Sequence, residues 1–349
     1  MRRLTNKLSA LPVILLLFVP PPAARTQTGR QPIDAIQPTD SSRELILLSR
    51  PGWARVREDG ATRRIALRPQ EMLTAIAETP SGWIAAGVRA EEDGSKVFLV
   101  SSDTESGARF VAPPQRDPLQ LRPVLLVHDG RLEGVAWLEG EGQSQLSVRF
   151  AAWNGIGWGR PRVISRPGPG SQTGLTGATL RNGNLLLAWS RFDGTDDEIY
   201  WSLGDGAIWS KPVRVGTDNR TPDITPVVAS SHRGARLVWG RMVAGEYFLV
   251  EKTFGSGEWL GERVISGPGS VFPSLVRSDD RLLALYRTAL PLGWGVTDLD
   301  GASSIARKAH LAASRPQRPV LRELQSTGPI LEWLRPDGLA TLRWSTPHE

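Results

Sequence analysis

Gly130-Arg-Leu-Glu-Gly-Val-Ala-Trp137 states a pattern that the chain repeats: a glycine or turn, a short run that is mostly apolar, then an aromatic. It returns as Gly183-Asn-Leu-Leu-Leu-Ala-Trp189, Gly234-Ala-Arg-Leu-Val-Trp239, Asp280-Arg-Leu-Leu-Ala-Leu-Tyr286 and Gly328-Pro-Ile-Leu-Glu-Trp333. A weaker first copy, Gly82-Trp-Ile-Ala-Ala-Gly87, lacks the aromatic. Successive end positions lie 50, 52, 50, 47 and 47 residues apart. Short apolar runs at that period, with turn residues and no helical spacing between them, predict a β-propeller with one four-stranded blade per repeat. A blade takes about 50 residues because strands of roughly five residues alternate with short turns.

The rest of each repeat follows from that anchor. The innermost strand opens on Pro or a small residue, in Pro123-Val-Leu-Leu-Val, Gly177-Ala-Thr-Leu, Pro226-Val-Val-Ala, Pro273-Ser-Leu-Val and Pro319-Val-Leu. Proline is admitted there because that strand edges the central channel, where one N–H has no ladder partner. A third, alternating strand comes next, as in Gln145-Leu-Ser-Val-Arg-Phe and Glu246-Tyr-Phe-Leu-Val. Outer strands follow Trp158, Trp209 and Trp259. The division puts blades at about 71–120, 121–172, 173–221, 222–271 and 272–316, and leaves three strands in 317–345. The expected fold is all-β: a six-bladed β-propeller of four-stranded blades, the last closed by the N-terminal strand around residues 62–67. Residues 44–57 find no place in that scheme.

Composition bounds the environment. Arg2, Arg3 and Lys7 precede a 12-residue apolar stretch at 8–19, and Pro20-Pro-Pro-Ala-Ala24 offers small residues for cleavage. This reads as a signal peptide over 1–24, too short to span a bilayer, followed by a polar linker at 25–43 and the propeller at 44–349. The expected location is therefore periplasmic or secreted, as a monomer without a transmembrane span in the mature chain. The absence of cysteine fits export, since a core of this size needs no disulfides. The formal charge of +6 falls to +3 once residues 1–24 are removed, and no Lys/Arg run occurs, which argues against a nucleic-acid partner.

Ser202-Leu-Gly-Asp205-Gly206-Ala-Ile-Trp209, with shortened copies at Thr253-Phe-Gly-Ser-Gly257-Glu-Trp259 and Thr297-Asp-Leu-Asp-Gly301, resembles the Asp-box of sialidase-like (BNR-repeat) propellers. Ser202, Gly206 and Trp209 match the motif, with Asp205 beside the Asp position. The resemblance implies the propeller fold, and Asp-boxes are turns at the blade periphery. For an active member it implies an Arg triad on the substrate carboxylate, a Tyr nucleophile and carboxyl groups. The triad's opening Arg-Ile-Pro has no match, only Arg122-Pro123 and Arg318-Pro319. Of three tyrosines, Tyr286 occupies the repeat's aromatic position and is the candidate nucleophile.

The repeat also generates a binding hypothesis. Arg89, Arg191, Arg241 and Arg335 stand two residues beyond the repeat's end position, and Arg287 one beyond. The second repeat has Glu139 there instead. Second strands run outward to the face where propellers usually bind ligands, and guanidinium forks suit carboxylate or sulfate. The competing reading is that these arginines cap strand ends against neighbouring acids. Glu91, Glu92, Asp93, Glu139, Glu141, Asp193, Asp196, Asp197 and Asp337 share those loops. Glu139 and Asp193 join Tyr286 as catalytic candidates, since glycoside hydrolysis needs converging carboxyl groups. His128, His232, His310 and His348 lack ligand spacing, so no metal and no cofactor is expected. Three functions stay open: an exported propeller that binds glycans or another extracellular partner, an exo-glycosidase on acidic sugars, and a protein-interaction propeller in a cell-envelope complex.

Overall fold

The structure, a computed structural model, describes residues 45–102, 109–111, 119–142, 144–217, 219–232, 234–278, 281–289 and 293–300. It also describes the strand backbones at 307–309, 320–324, 328–335 and 338–343. The proposed signal peptide and linker lie outside these residues, as do Arg318, Asp337 and the side chain of Arg335.

Among the described residues every regular element is a strand, and the strands follow one another in antiparallel meanders. Sheet 1 holds β1 (Leu45–Arg50), β2 (Trp53–Glu58) and β3 (Ala61–Ala66). Sheet 2 holds β4 (Glu71–Thr79), β5 (Gly82–Ala90), β6 (Ser95–Ser101) and β7 (Arg109–Phe110). Sheet 3 holds β8 (Leu119–His128), β9 (Arg131–Gly140), β10 (Ser147–Ala152) and β11 (Arg162–Ser165). A single parallel bridge, Ser95 to Leu119, joins it to sheet 2. Sheet 4 holds β12 (Gln172–Thr179), β13 (Leu185–Phe192), β14 (Asp197–Gly204) and β15 (Val213–Arg214). Sheet 5 holds β16 (Asp223–Ser231), β17 (Gly234–Val243), β18 (Glu246–Gly255) and β19 (Glu258–Val264). Sheet 6 holds β20 (Ser270–Ser278), β21 (Arg281–Thr288), β22 (Gly293–Asp298) and β23 (Arg307–Ala309). Sheet 7 holds β24 (Val320–Leu324), β25 (Gly328–Arg335) and β26 (Gly338–Arg343).

The expected closure of the last sheet by residues 62–67 gives way to a different pairing. Those residues lie largely in β3, which pairs with β2 from Glu58–Ala61 to Trp53–Ala66. The cause is local: Asp59-Gly60, at φ 47° and 87°, forms a two-residue turn of the kind that closes right-twisted hairpins. Pro51-Gly52, with Gly52 at φ 89°, makes the two-residue connection between β1 and β2. Residues 44–57, unplaced by the repeat, therefore supply most of a three-stranded sheet of their own.

First strands touch in order, β1 with β4, β4 with β8, and so on through β12, β16 and β20 to β24, and β1 also touches β25. Five of these strands carry a bulge near their start. Arg122, Gly174, Thr225 and Phe272 occupy the same bulge position, with φ between 50° and 59°. Pro123, Pro226 and Pro273 come next, where the bulge leaves a residue outside the ladder and a missing N–H costs nothing.

The repeat's aromatics fill the seams between sheets. Trp137 packs among sheet 2 residues, Trp189 among those of sheet 3, Trp239 among those of sheet 4 and Tyr286 among those of sheet 5. All four are at most 2 % exposed. The degenerate first copy is explained by its neighbour. A Cβ on Gly87 would lie 2.9 Å from the ring of Phe98, so the glycine makes room for an aromatic from the adjacent strand. Phe98 then fills the seam with sheet 1.

Candidate functional site

Strand register decides what the repeated arginines meet. Glu71 lies opposite Arg89, Gln120 opposite Glu139, Gln172 opposite Arg191 and Asp223 opposite Arg241. In sheet 6 the repeat slips by one, and Arg287 opposes Val271. The first-strand partners are buried, between 0 and 3 % exposed. Sheets 2 to 5 thus each end in a polar pair between their first two strands.

Two arginines are paired with acids in their clasps. The Nε of Arg89 donates to Glu71 at 2.7 Å, and its guanidinium lies 4.4 Å from the ring of Phe110. Arg241 forks onto Asp223 through two bonds of 2.9 Å, donates to Glu262 at 2.5 Å and sits 5.4 Å from the ring of Trp239. Burial alone would lower the Arg241 pKa; the bonds and charges of Asp223 and Glu262 outweigh it and raise it. In sheet 3 the clasp is inverted: Glu139 accepts from Gln120 at 2.9 Å and from the Trp137 indole at 3.0 Å, and pairs with Arg149.

Arg191 is different. Gln172, opposite it, spends its amide N–H groups on the carbonyls of Leu146, Ser165 and Arg166, at 2.9, 3.2 and 3.0 Å. The Nε of Arg191 is buried without a hydrogen-bond partner, and so is Oε1 of Gln172. The guanidinium lies 5.1 Å from the ring of Tyr200 and against the backbone of Gly168. Arg287 has no ion pair among the described residues, and burial lowers its pKa. Arg335 ends β25 opposite Gly338. No two of these arginines share a carboxylate among the described residues.

Acidic groups gather where sheets 4 and 5 meet. Asp193 caps the hairpin after β13 by accepting the N–H of Thr195 at 2.9 Å, and it holds Arg214 at 2.7 Å. The Thr195 bond is the largest influence holding its carboxyl below the usual range. Asp197 is pushed up to about 6, by burial first and then by Asp196 and Asp193. Glu198 is pushed up to about 7 by burial and by the Asp223 charge, against the pull of Arg214, 3.6 Å away, and an N–H bond from Asn219. Asn219 also donates to Asp223 at 3.2 Å. A carboxyl raised by burial beside a second carboxyl group is the electrostatic pattern of an acid–base pair. Glu198 and Asp223 are, however, 1 % and 3 % exposed. Acids so enclosed tune one another and the sheet seam before they can touch a solute.

Tyr286 is withdrawn as a nucleophile. It is 2 % exposed, its hydroxyl lies 3.4 Å from that of Thr297, and its ring covers Gly295. Burial raises its pKa, which opposes the phenolate a nucleophile needs.

The turn at 202–210 has a structural job. Asp205 accepts the N–H groups of Ala207 and Ile208 at 2.8 and 2.7 Å. Gly204 leaves room for the Trp209 ring, which a Cβ would approach to 2.5 Å. Asn154 caps Ile156 and Gly157 identically, at 3.0 and 2.8 Å, a copy that Trp153-Asn-Gly-Ile-Gly-Trp158 shows only once Asn is allowed for Asp. Among the described residues no group of His, Asp or Glu is placed to hold a metal ion, and no helix is long and apolar enough to cross a membrane.

No family model matches the chain, and no curated protein matches it by sequence. Solved structures do match in three dimensions. A puromycin-hydrolyzing peptidase of Mycobacterium tuberculosis aligns over 84 % of this chain and 50 % of its own, with 12 % identity and a TM-score of 0.54. The GH93 α-L-arabinofuranosidase of Fusarium graminearum, solved with arabinobiose, aligns over 77 % and 91 %, with 14 % identity and a TM-score of 0.51. The Aleuria aurantia lectin, solved as a point mutant with Fucα1-6GlcNAc, aligns over 89 % and 95 %, with 12 % identity and a TM-score of 0.50. The chain is built as a β-propeller. A peptidase, a glycosidase and a lectin on one architecture show that this likeness speaks to fold alone.

Sequence reasoning missed the partners rather than the positions. Glu71 and Asp223 stand 18 residues before their arginines, and Gln120 and Gln172 stand 19 before Glu139 and Arg191. That regular offset was the available signal.

Proposed function

We propose that this protein is an exported β-propeller that binds carbohydrate without hydrolysing it, with carboxylate-bearing sugars as the preferred class. The observation that carries the reading is the unequal fate of the repeated arginines. Arg89 and Arg241 are consumed by Glu71, Asp223 and Glu262, while Arg191 keeps a buried, unmatched Nε beside the Tyr200 ring. A cation over an aromatic face is suited to a sugar ring carrying an acid. The lack of turnover follows from Tyr286 in the core, Glu139 and Asp193 in fixed pairs, and Glu198 and Asp223 enclosed. Sugar-binding proteins among the structural neighbours support the class by analogy of fold. The architecture we propose is a ring of seven sheets, because the first strands follow in contact and β1 returns to β25.

The test is calorimetric titration of the mature chain with neutral and uronate-bearing oligosaccharides, with product analysis alongside. Binding of the uronate series without new reducing ends is expected, and Arg191→Ala should weaken it at least about tenfold. Sustained release of sugar would overturn the non-catalytic reading. The observation favouring that rival is the elevated Glu198 beside Asp223, and its signature would be a rate that falls as pH rises through about 7.

A further inference from the structure

Sheet 1 differs from its neighbours in charge and in its outer edge. Residues 45–68 carry Arg50, Arg55, Arg57, Arg63, Arg64 and Arg68 against Glu58 and Asp59 alone. A formal excess of four positive charges in so short a segment exceeds the +3 of the whole mature chain. The rest of the propeller is therefore nearly neutral, and this sheet holds its field.

The edge is equally distinct. In sheets 2 to 6 a fourth strand follows the third, whereas β3 pairs with β2 on one side and with no strand among the described residues on the other. Five of its six residues are exposed, Ile65 being the exception. Its hydrogen-bonding phase can be read from the flanks. Leu67 donates its N–H back to Gly52 at 3.2 Å, and Ala61 faces Glu58 across the tight turn. Main-chain groups of residues 61, 63 and 65 therefore point at β2, and those of Thr62, Arg64 and Ala66 point outward.

We infer that β3 is a docking edge for an extended, acidic segment of a partner protein, which adds to sheet 1 as its fourth strand. Strand addition supplies main-chain bonds at Thr62, Arg64 and Ala66, and side chains supply selectivity. Charge fixes the occupant. A second copy of this edge would place arginine against arginine, which is unfavourable for directly opposed residues. A strand with carboxylates at alternate positions meets Arg64 on one face. On the other, Arg63 has one N–H committed to the Ser102 carbonyl at 2.9 Å and further donors in its fork. This edge is independent of the arginine clasps, so the sugar-binding proposal can fail without it.

A labelled ten-residue peptide alternating Glu and Val, its Lys–Val counterpart and anionic phospholipid vesicles are the probes, added to the mature chain. Fluorescence anisotropy should show binding of the Glu peptide alone, weakening as salt rises. Hydrogen exchange should slow at the amides of Thr62, Arg64 and Ala66. Arg64→Glu, on the fully exposed edge, should leave the melting temperature unchanged, reduce Glu-peptide binding at least about tenfold and admit the Lys peptide. Arg64→Pro removes an outward N–H and should abolish binding of the Glu peptide without admitting the Lys peptide. Glu-peptide affinity weaker than about 1 mM, indifference to Arg64→Glu, or vesicle binding without amide protection would each overturn the inference.

Discussion

Sheets 4 and 5 share a repeat, a register and an arginine at the same strand end, yet they treat that arginine in opposite ways. Sheet 5 closes on it with Asp223 and Glu262; sheet 4 offers Gln172, whose donors are already spent on three carbonyls. The difference teaches that a repeated cation is a structural clasp wherever its first-strand partner is an acid, and becomes available for another role only where the partner is neutral. Position in the repeat alone says nothing about which.

The largest test of this contrast is stability. Arg241→Ala strands Asp223 as a buried charge and should cost about 3–5 kcal/mol in urea unfolding. Arg191→Ala breaks no side-chain hydrogen bond among the described residues and should cost under about 1 kcal/mol, mostly lost packing of its stem. Equal losses for the two variants would dissolve the distinction.

A smaller effect separates the acids of the same seam by their response to pH. Glu198 has an ordinary value of 4.5 and is raised to about 7 in the folded chain, so the native state holds the proton longer than the unfolded one. Its contribution to stability therefore declines as pH rises from about 4.5 to 7, then stays level. Asp193 runs the other way: its lowered carboxyl stabilises above the usual carboxylate range, and that gain is lost on acidification. Glu198→Gln should raise stability on the order of 1 kcal/mol at pH 8 and leave it unchanged at pH 4. Thermal melts at the two pH values check this; a uniform gain would detach the effect from ionisation.

The smallest effect lies at the bulges. Thr225 in sheet 5 occupies the left-handed conformation that Gly174 occupies in sheet 4, at φ 53° and 59°. Thr225→Gly should relieve strain and stabilise by about 0.5–1 kcal/mol. Gly174→Thr should destabilise more than that, since a Cβ would meet Pro226 at 2.8 Å. Opposite signs in denaturant midpoints sharpen the comparison; like signs end it.

These sheets also show what could be read in advance. The aromatic phase announced every second strand from Gly82 onward, because a seam of fixed width demands a large side chain at a fixed interval. Sheet 1 escaped, since its residues obey no repeat, although Pro51-Gly52 and Asp59-Gly60 each announce a hairpin to a reader not counting to 50. The prolines were placed near the channel, but the left-handed residue before Pro123, Pro226 and Pro273 depends on a bulge that pattern does not encode. Tyr286 shows the limit most plainly: the repeat that made it noticeable is the repeat that buries it. Whether an arginine is neutralised depends on cross-strand register, which a bulge shifts by a residue, so Arg191 and Arg241 look alike until the ladder is drawn.

The seam aromatics have one more consequence. Sheets 3 to 6 each donate their large side chain to the junction with the sheet before, so these four junctions are each assembled from a socket on one unit and a plug on the next. Removing residues 121–172 as a unit would bring the plug of sheet 4 to the vacant socket of sheet 2, a junction of the same kind. Repeat number is thus a quantity such a chain can change by duplication or loss without inventing a new interface, and junctions of this sort couple chiefly to their nearest neighbours.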